Sequence, residues 1–153
     1  MIAVIGDGSL SGGEALEGLD FAAELQSNFI IIVNDNDMSI AENHGGLYQN
    51  LALLRKTDGQ TECNLFKAMG LDYVYVDRGN DVAALIKAFK EVKDSTKPVV
   101  VHINTLKGKG YAPAEKCKEQ WHYSGPFDIE TGKPLFDNVE EDLALIHISE
   151  PTR

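Results

Sequence analysis

Short apolar runs occur at four places along the chain and predict the strands of a sheet. Aliphatic, β-branched and aromatic side chains dominate residues 1–5, 29–33, 71–76 and 98–103, and apolar runs this short favour strands over helices. The run at 29–33 shows no alternation of polar and apolar positions. We therefore expect that strand to be covered on both faces, as in a parallel sheet.

Apolar residues at helical spacing fill most of the segments between these runs. They predict helices over 14–26, 46–56, 63–69, 81–93 and, more briefly, 112–120. Asp81 is placed to cap the start of one helix and Gly70 to end another. The alternation of strands and helices predicts right-handed crossovers and an α/β fold, with a mostly parallel sheet flanked by helices. An ordered, aromatic-rich loop is expected over 121–135.

Composition and charge narrow the class of protein. The 153 residues suffice for one domain, and the net charge of −10 disfavours nucleic acid and anionic membrane surfaces as partners. The sequence contains no apolar stretch of about 18 residues that would predict a membrane span, and its first residues lack the features of a secretory signal. Cys63 and Cys117 match no metal or redox spacing, which is typical of reduced thiols in a cytoplasmic protein.

Both ends of the sequence suggest a piece of a longer protein. The chain opens within a predicted strand, and residues 145–153 fit no helix or strand. That segment resembles a translated sequencing-library adapter, with a natural disordered tail as the alternative. We expect a partial domain over 1–136 and a tail over 137–153, and we do not propose His147 as a ligand.

Two polar clusters follow neighbouring strands and together predict a site for magnesium and phosphate. Gly6-Asp7-Gly8 ends the first predicted strand, and Asn34-Asp35-Asn36 ends the second. Parallel strands bring both clusters to the same carboxyl edge of the sheet, where open α/β sheets bind ligands. Asp7 offers a carboxylate and Asn36 an amide oxygen, and both groups are suited to Mg²⁺. The carbonyl of Met38 could complete the set of ligands that the protein supplies. The glycines beside Asp7 allow a diphosphate to approach the backbone and the helix N-terminus that follows.

This joint pattern resembles the thiamine-diphosphate signature, and here Asp7 and Asn36 lie 29 positions apart. The similarity continues through Asp37-Met38-Ser39-Ile40, Lys107-Gly108-Lys109-Gly110-Tyr111, Ala112-Pro113-Ala114-Glu115, and Trp121-His122 with Gly125-Pro126-Phe127-Asp128. Over residues 2 to about 135, the chain resembles the 1-deoxy-D-xylulose-5-phosphate synthase family more than transketolases in general.

The resemblance implies a thiamine-diphosphate-binding fold and a set of site residues. The implied Mg²⁺ ligands are the side chains of Asp7 and Asn36 and the carbonyl of Met38. The implied cofactor contacts are Gly6, Asp7, Gly8, Ser9, Asn36 and Tyr111. For Tyr111, an aromatic ring packed on a loop is the alternative that the residues leave open. His122 is the candidate catalytic residue.

The resemblance also implies an activity that depends on thiamine diphosphate and Mg²⁺. Family members condense pyruvate with D-glyceraldehyde 3-phosphate to 1-deoxy-D-xylulose 5-phosphate with loss of CO₂, a step toward isoprenoids, thiamine and pyridoxal. In the family, the glutamate that activates the cofactor lies on a separate pyrimidine-binding domain, so neither Glu14 nor Glu42 is assigned that role. We expect this chain to be inactive without that domain and the C-terminal domain, and the intact protein to be a homodimer. The short segment at 56–70 replaces a long insertion of the family and leaves substrate preference open.

Histidines and lysines outside the signature carry weaker predictions. His102 lies inside an apolar strand and is expected in the core, whereas the sequence leaves open whether His44 faces the active-site edge. His122, in the aromatic loop, is the better candidate to face substrate. The lysines of 106–110 form a local basic exception in an acidic chain, for which a solvated turn is the plainest interpretation.

Two other functions compete with the synthase. One is a transketolase-like two-carbon transfer, with this chain as the N-terminal subunit of a split enzyme. The other is a non-catalytic module that binds Mg²⁺ and a nucleotide or phosphate through Asp7. A Walker-type Gly-Lys-Ser/Thr does not follow the first predicted strand, which disfavours the module.

Overall fold

Four parallel strands form the sheet of this protein. The computed structural model describes residues 1–39 and 43–135, so the predicted tail at 137–153 and Glu42 lie outside the described residues. The strands are β1 (Ile2–Gly6), β2 (Ile30–Asp35), β3 (Asp72–Val76) and β4 (Val99–Asn104). Their order is β1-β2-β4-β3, and every neighbouring pair is parallel. The predicted α/β fold is confirmed.

Helices connect the strands and cover both faces of the sheet. They are α1 (Asp7–Leu10), α2 (Gly13–Ala23), α3 (Gly46–Lys56), α4 (Leu65–Ala68), α5 (Val82–Val92) and α6 (Ala112–Lys116). The short α1 was not predicted, since its sequence suggested a loop. The predicted helix over 112–120 is wrong at its end: α6 stops at Lys116, four residues early.

Two apolar clusters, one on each face, hold the layers together. The first gathers Phe66 with Leu51, Leu54, Val33 and Leu10 between the sheet and helices α1 to α4. The second packs α5 against the other face through buried aliphatic residues such as Ala88, Val92 and Val101. The central strands β2 and β4 are largely buried, as predicted for 29–33. Among the described helices, none is long and apolar enough to cross a membrane.

Helix ends follow the chemistry that the sequence indicated. The Asp81 side chain accepts hydrogen bonds from the backbone of Ala83 and Ala84 and so caps α5. Gly70 follows α4 with a φ of 89°, a left-handed conformation that glycine adopts without strain. The amide of Leu71 then donates to the Phe66 carbonyl at 3.1 Å, which closes a Schellman-type end.

β1 lies at an open edge of the described sheet. Its outward side chains Ile2 and Val4 are 65% and 69% exposed. Large apolar side chains on an edge strand are a site for further strand pairing or for aggregation.

Candidate functional site

Asp7 lies at the point where β1 ends and α1 begins, and its carboxylate is buried. Oδ2 accepts a hydrogen bond from Nδ2 of the Asn43 side chain at 2.8 Å. Within residues 1–39 and 43–135, no cationic side chain forms an ion pair with Asp7. Burial and the nearby Asp35 charge raise the pKa of the Asp7 carboxyl, and backbone amides including those of Gly8 and Asn36 oppose that rise. The carboxylate is therefore short of positive charge.

The second polar cluster begins inside β2 rather than after it. The strand continues to Asp35, two residues past the predicted end. Beyond it, the Asn36 side chain accepts a hydrogen bond from the Met38 amide at 3.1 Å. The intervening Asp37 has a φ of 61°, a left-handed conformation that Asp tolerates. A tight Asx-type turn thus presents Asn36 and Met38 on one short loop.

The two clusters meet at the carboxyl edge, as predicted. A Cβ added to Gly8 would lie 2.9 Å from the Ser39 hydroxyl oxygen and 3.2 Å from its Cα. The start of α1 is therefore pressed against the 36–39 loop. Gly6 precedes Asp7 in β1, and Ser9 is exposed on α1. The structure brings Asp7, Asn36 and Met38 into one region, while their binding roles stay predictions.

Beneath the loop lies a buried polar network that was not predicted from the sequence. The Asp35 carboxylate, which is fully buried, accepts hydrogen bonds from Arg55 Nη1 at 2.6 Å and from His102 Nε2 at 2.8 Å, both at Oδ2. The Tyr73 hydroxyl lies 2.7 Å from His102 Nδ1. Burial alone would raise the pKa of Asp35, but the hydrogen bonds from His102 and Arg55 outweigh it and lower that pKa. His102 is in the core, as predicted, but in a polar part of it.

His122 comes close to the 36–39 loop through a lysine. Lys107 Nζ donates to the Ser39 carbonyl at 2.7 Å and lies 3.0 Å from His122 Nδ1. Lys107, in the loop after β4, thus contacts both the 36–39 loop and the aromatic loop that carries His122. It is therefore not the freely solvated turn residue that the sequence suggested. His44 is exposed.

Tyr111 packs in an aromatic cluster at the start of α6. Its ring lies 5.1 Å from Trp121 and 5.7 Å from Phe127, between centroids. Its hydroxyl is buried, and among the described residues it has no hydrogen-bond partner. This is the loop-packing role that the residues left open for Tyr111. Contact with a cofactor remains a prediction.

The oxygen donors at the edge fit a hard divalent cation. Asp7 supplies a buried carboxylate, Asn36 an amide oxygen with a second lone pair free beside its bond to Met38, and Met38 a carbonyl. In the part of the chain that the structure describes, no three His, Cys, Asp or Glu side chains group as a metal site. The predicted ligand set contains only one side chain of those types, so phosphate and water would have to complete the coordination.

A cleft of about 790 Å³ extends from Asn36 along the carboxyl ends of β2, β4 and β3. Cationic side chains outnumber acidic ones among its lining residues, with Arg55, Lys56, Arg78, Lys109 and Lys118 against Asp37, Asp77 and Asp81. In a chain with a net charge of −10, the lining of this cleft is therefore a local exception.

The chain matches the family model described as 1-deoxy-D-xylulose-5-phosphate synthase, over residues 1–64 and 56–105. The synthase of Porphyromonas gingivalis is 36% identical over 170 residues, covering 87% of this chain and 27% of the relative. The Listeria monocytogenes synthase is 40% identical over 139 residues, covering 86% and 23%. The chain thus spans about a quarter of the length of these relatives.

Solved structures agree with the fold. A transketolase variant from Pichia stipitis superposes with a TM-score of 0.51 at 26% identity, covering 72% of this chain and 15% of the transketolase. The matched family model extends over both strand-end clusters and over Lys56 to Thr105. The chain belongs to the 1-deoxy-D-xylulose-5-phosphate synthase family.

Proposed function

We propose that this chain is the part of a 1-deoxy-D-xylulose-5-phosphate synthase that holds the diphosphate of thiamine diphosphate and its Mg²⁺. The observation that supports this most directly is the buried Asp7 carboxylate, which pairs with no cationic side chain among the described residues and lies beside the Asn36 loop. A divalent ion bridging Asp7, Asn36 and a diphosphate would supply the missing positive charge.

Each predicted residue has a role that its position supports. Asp7 and Asn36 bind Mg²⁺ by side chain and Met38 by its carbonyl. Gly6, Gly8 and Ser9 present backbone at the turn into α1, where a side chain on Gly8 would collide with Ser39. Lys107 holds His122 toward this edge, where His122 would contact substrate, and Tyr111 would border the cofactor.

The cofactor supplies the chemistry, and the chain supplies binding and orientation. When bound, thiamine diphosphate provides the carbon nucleophile that adds to the keto group of pyruvate and allows CO₂ to leave. Activation of the cofactor for this chemistry would require a glutamate, which we place in another domain of the protein. The chain alone is therefore proposed to bind but not to catalyse. The homodimeric state and cytoplasmic location of the intact enzyme belong to the same proposal.

Thermal unfolding of the 153-residue chain tests the binding role. Thiamine diphosphate with Mg²⁺ at about 100 times the Kd stabilises the folded chain by about 2.7 kcal/mol, a rise in Tm of about 5–10 °C for a chain of this size. Neither component alone should produce that rise. Asp7→Ala should abolish it, whereas Asp20→Ala, which changes an exposed aspartate on α2, should retain it. A full shift in Asp7→Ala would disprove the metal assignment.

A transketolase-like transfer is the second candidate, because transketolases are among the solved structures that resemble this chain. An activity assay of the longer protein, with the proposed further domains, distinguishes these two candidate functions. Release of CO₂ from pyruvate supports the synthase. Transfer from a ketose phosphate without pyruvate supports the transketolase.

A further inference from the structure

Hydrogen bonds from other elements hold the residues on either side of Asn36. The Thr105 hydroxyl donates to the Asn34 side chain at 2.7 Å. Arg55 spans two carboxylates, since Nη1 contacts Asp35 and Nη2 contacts Asp37 at 2.5 Å. The Asp37 amide also donates to Asp35 Oδ1 at 3.0 Å. The left-handed Asp37, between Asn36 and Met38, is thus fixed through both its backbone and its side chain.

The restraint continues inward across the sheet. Asp35 lies at the end of β2, His102 lies on the neighbouring β4, and Tyr73 lies on β3 beyond it. Successive hydrogen bonds join the three side chains. The chain of contacts therefore connects the 36–39 loop to three neighbouring strands of the parallel sheet.

Stability alone is a poor reason for this arrangement. A buried ion pair rarely stabilises a fold more than well-packed apolar residues of similar volume would, so it is weak evidence for a stabilising role. The neighbouring positions of β4, Val100 and Val101, are fully buried valines. Among the buried residues of β4, His102 is the polar one, and its hydrogen bond to Asp35 leads to the loop.

We propose that Arg55, His102 and Tyr73 are positioning residues, which act through Asp35 to hold Asn36 and the Met38 carbonyl in the geometry that binds the metal. This inference rests on the proposed metal site. Its physical basis is that groups behind the direct ligands orient them, and that changing such groups typically lowers metal affinity about 10–100-fold.

Two tyrosines on β3 provide a matched pair of variants. The rings of Tyr73 and Tyr75 both pack against His102, at 6.0 Å and 5.2 Å between centroids. Only the Tyr73 hydroxyl is hydrogen-bonded to the imidazole, and no bond joins the Tyr75 hydroxyl to it. Tyr73→Phe therefore cuts the network without removing an aromatic ring, and Tyr75→Phe is its control.

The experiment measures the dissociation constant of Mn²⁺, used as a paramagnetic probe for Mg²⁺, in the presence of thiamine diphosphate. Arg55→Gln should weaken Mn²⁺ binding about 10–100-fold and Tyr73→Phe by a smaller factor, with Tyr75→Phe unchanged. Arg55→Lys should restore part of the affinity, because lysine keeps the charge but cannot contact both carboxylates as a planar fork does. Val92→Ala, which destabilises the core on the opposite face, should leave Mn²⁺ affinity unchanged and so separates positioning from loss of stability.

Amide hydrogen exchange without metal provides a second, independent measurement. The amides of Asp37 and Met38 should exchange faster in Arg55→Gln and Tyr73→Phe than in Tyr75→Phe. If wild-type protein fails to bind Mn²⁺, the proposed function fails, and the exchange rates still test whether the network orders the loop. Wild-type Mn²⁺ affinity or wild-type exchange in both Arg55→Gln and Tyr73→Phe would overturn the positioning role.

Discussion

Replacing Arg55 with methionine should destabilise the fold far more than an average ion-pair mutation. Methionine retains much of the volume and the apolar stem but cannot donate to Asp35 or Asp37. Asp35 is 0% exposed and the Arg55 side chain is 15% exposed, so water cannot replace the lost partner at Asp35. His102 would remain as a single side-chain donor to that carboxylate.

The magnitude follows from that burial. Removing one partner of a buried ion pair costs about 3–5 kcal/mol, because an uncompensated charge stays inside. Since His102 still donates to Asp35, we expect the lower end, about 3 kcal/mol. For a chain of this size, that loss lowers Tm by about 6–12 °C. The loss is large beside a typical total stability of about 5–15 kcal/mol.

Calorimetry or circular dichroism of the metal-free chain at pH 7 provides the test, with Arg78→Met as the matched control. Arg78 pairs with Asp81 at 3.0 Å, but its side chain is 72% exposed, and such pairs contribute about 0.5 kcal/mol or less. The Arg55→Met penalty should also shrink in acid. A carboxyl whose pKa is lowered by folding contributes stability above its unfolded pKa and loses it as the pH falls through the folded pKa. A Tm loss in Arg55→Met no larger than that in Arg78→Met would refute the reasoning.

Three further substitutions test other parts of the structure. Folding raises the pKa of the Asp7 carboxyl, so the folded chain binds the proton of this carboxyl more tightly than the unfolded chain does. The stability of the metal-free chain should therefore fall as the pH rises from the unfolded pKa through the folded pKa. Asp7→Asn should remove that decline and raise the metal-free Tm at pH 7, and an unchanged pH profile would contradict it. Gly79→Ala should lower the free energy of unfolding, measured in urea, by about 1–3 kcal/mol, because the added Cβ overlaps the Asn104 backbone oxygen. Gly18→Ala is its control, since the space around Gly18 is open. Asn64→Ala should cost about 1 kcal/mol in the same assay by removing the cap of α4, and a neutral result would show that α4 is held by Phe66 packing alone.

The fold could be predicted because local patterns and topology agree. Apolar runs located all four strands to within two residues, and Asp81 and Gly70 located helix ends. The carboxyl edge of a parallel sheet then brought Asp7 and Asn36 together without any tertiary information. The α1 helix escaped prediction because its four residues, Asp7–Leu10, are too few for a periodic pattern, and Gly8 within it suggested a turn.

The network beneath the loop could not be predicted because its members are far apart in sequence. Asp35 and His102 are 67 positions apart, and Asp35 and Arg55 are 20 apart. The available signals were a histidine inside an apolar strand and an arginine on the apolar side of α3. Each of these two signals is commonly explained without reference to the other. The strand order β1-β2-β4-β3 is what places β4 beside β2, where His102 reaches Asp35.

The two buried acids at this edge have opposite electrostatic surroundings. Asp35 and Asp7 both lie at or just past the ends of adjacent parallel strands, and both are nearly inaccessible to solvent. Arg55 and His102 stabilise the Asp35 charge, whereas the donors to Asp7 from the described part of the chain are one amide side chain and backbone N–H groups. If the fold required only stability, the cation would be expected to serve both carboxylates or Asp7 would be apolar. Leaving one acid uncompensated beside a restrained loop of oxygen donors is the arrangement expected where a cation binds from solution. The same arrangement predicts that Asp35→Asn, which removes the carboxylate that pairs with Arg55 and His102 beneath the loop, would weaken Mn²⁺ binding even though Asp35 is not a proposed ligand. Unchanged Mn²⁺ affinity in that variant would show that the two carboxylates act independently.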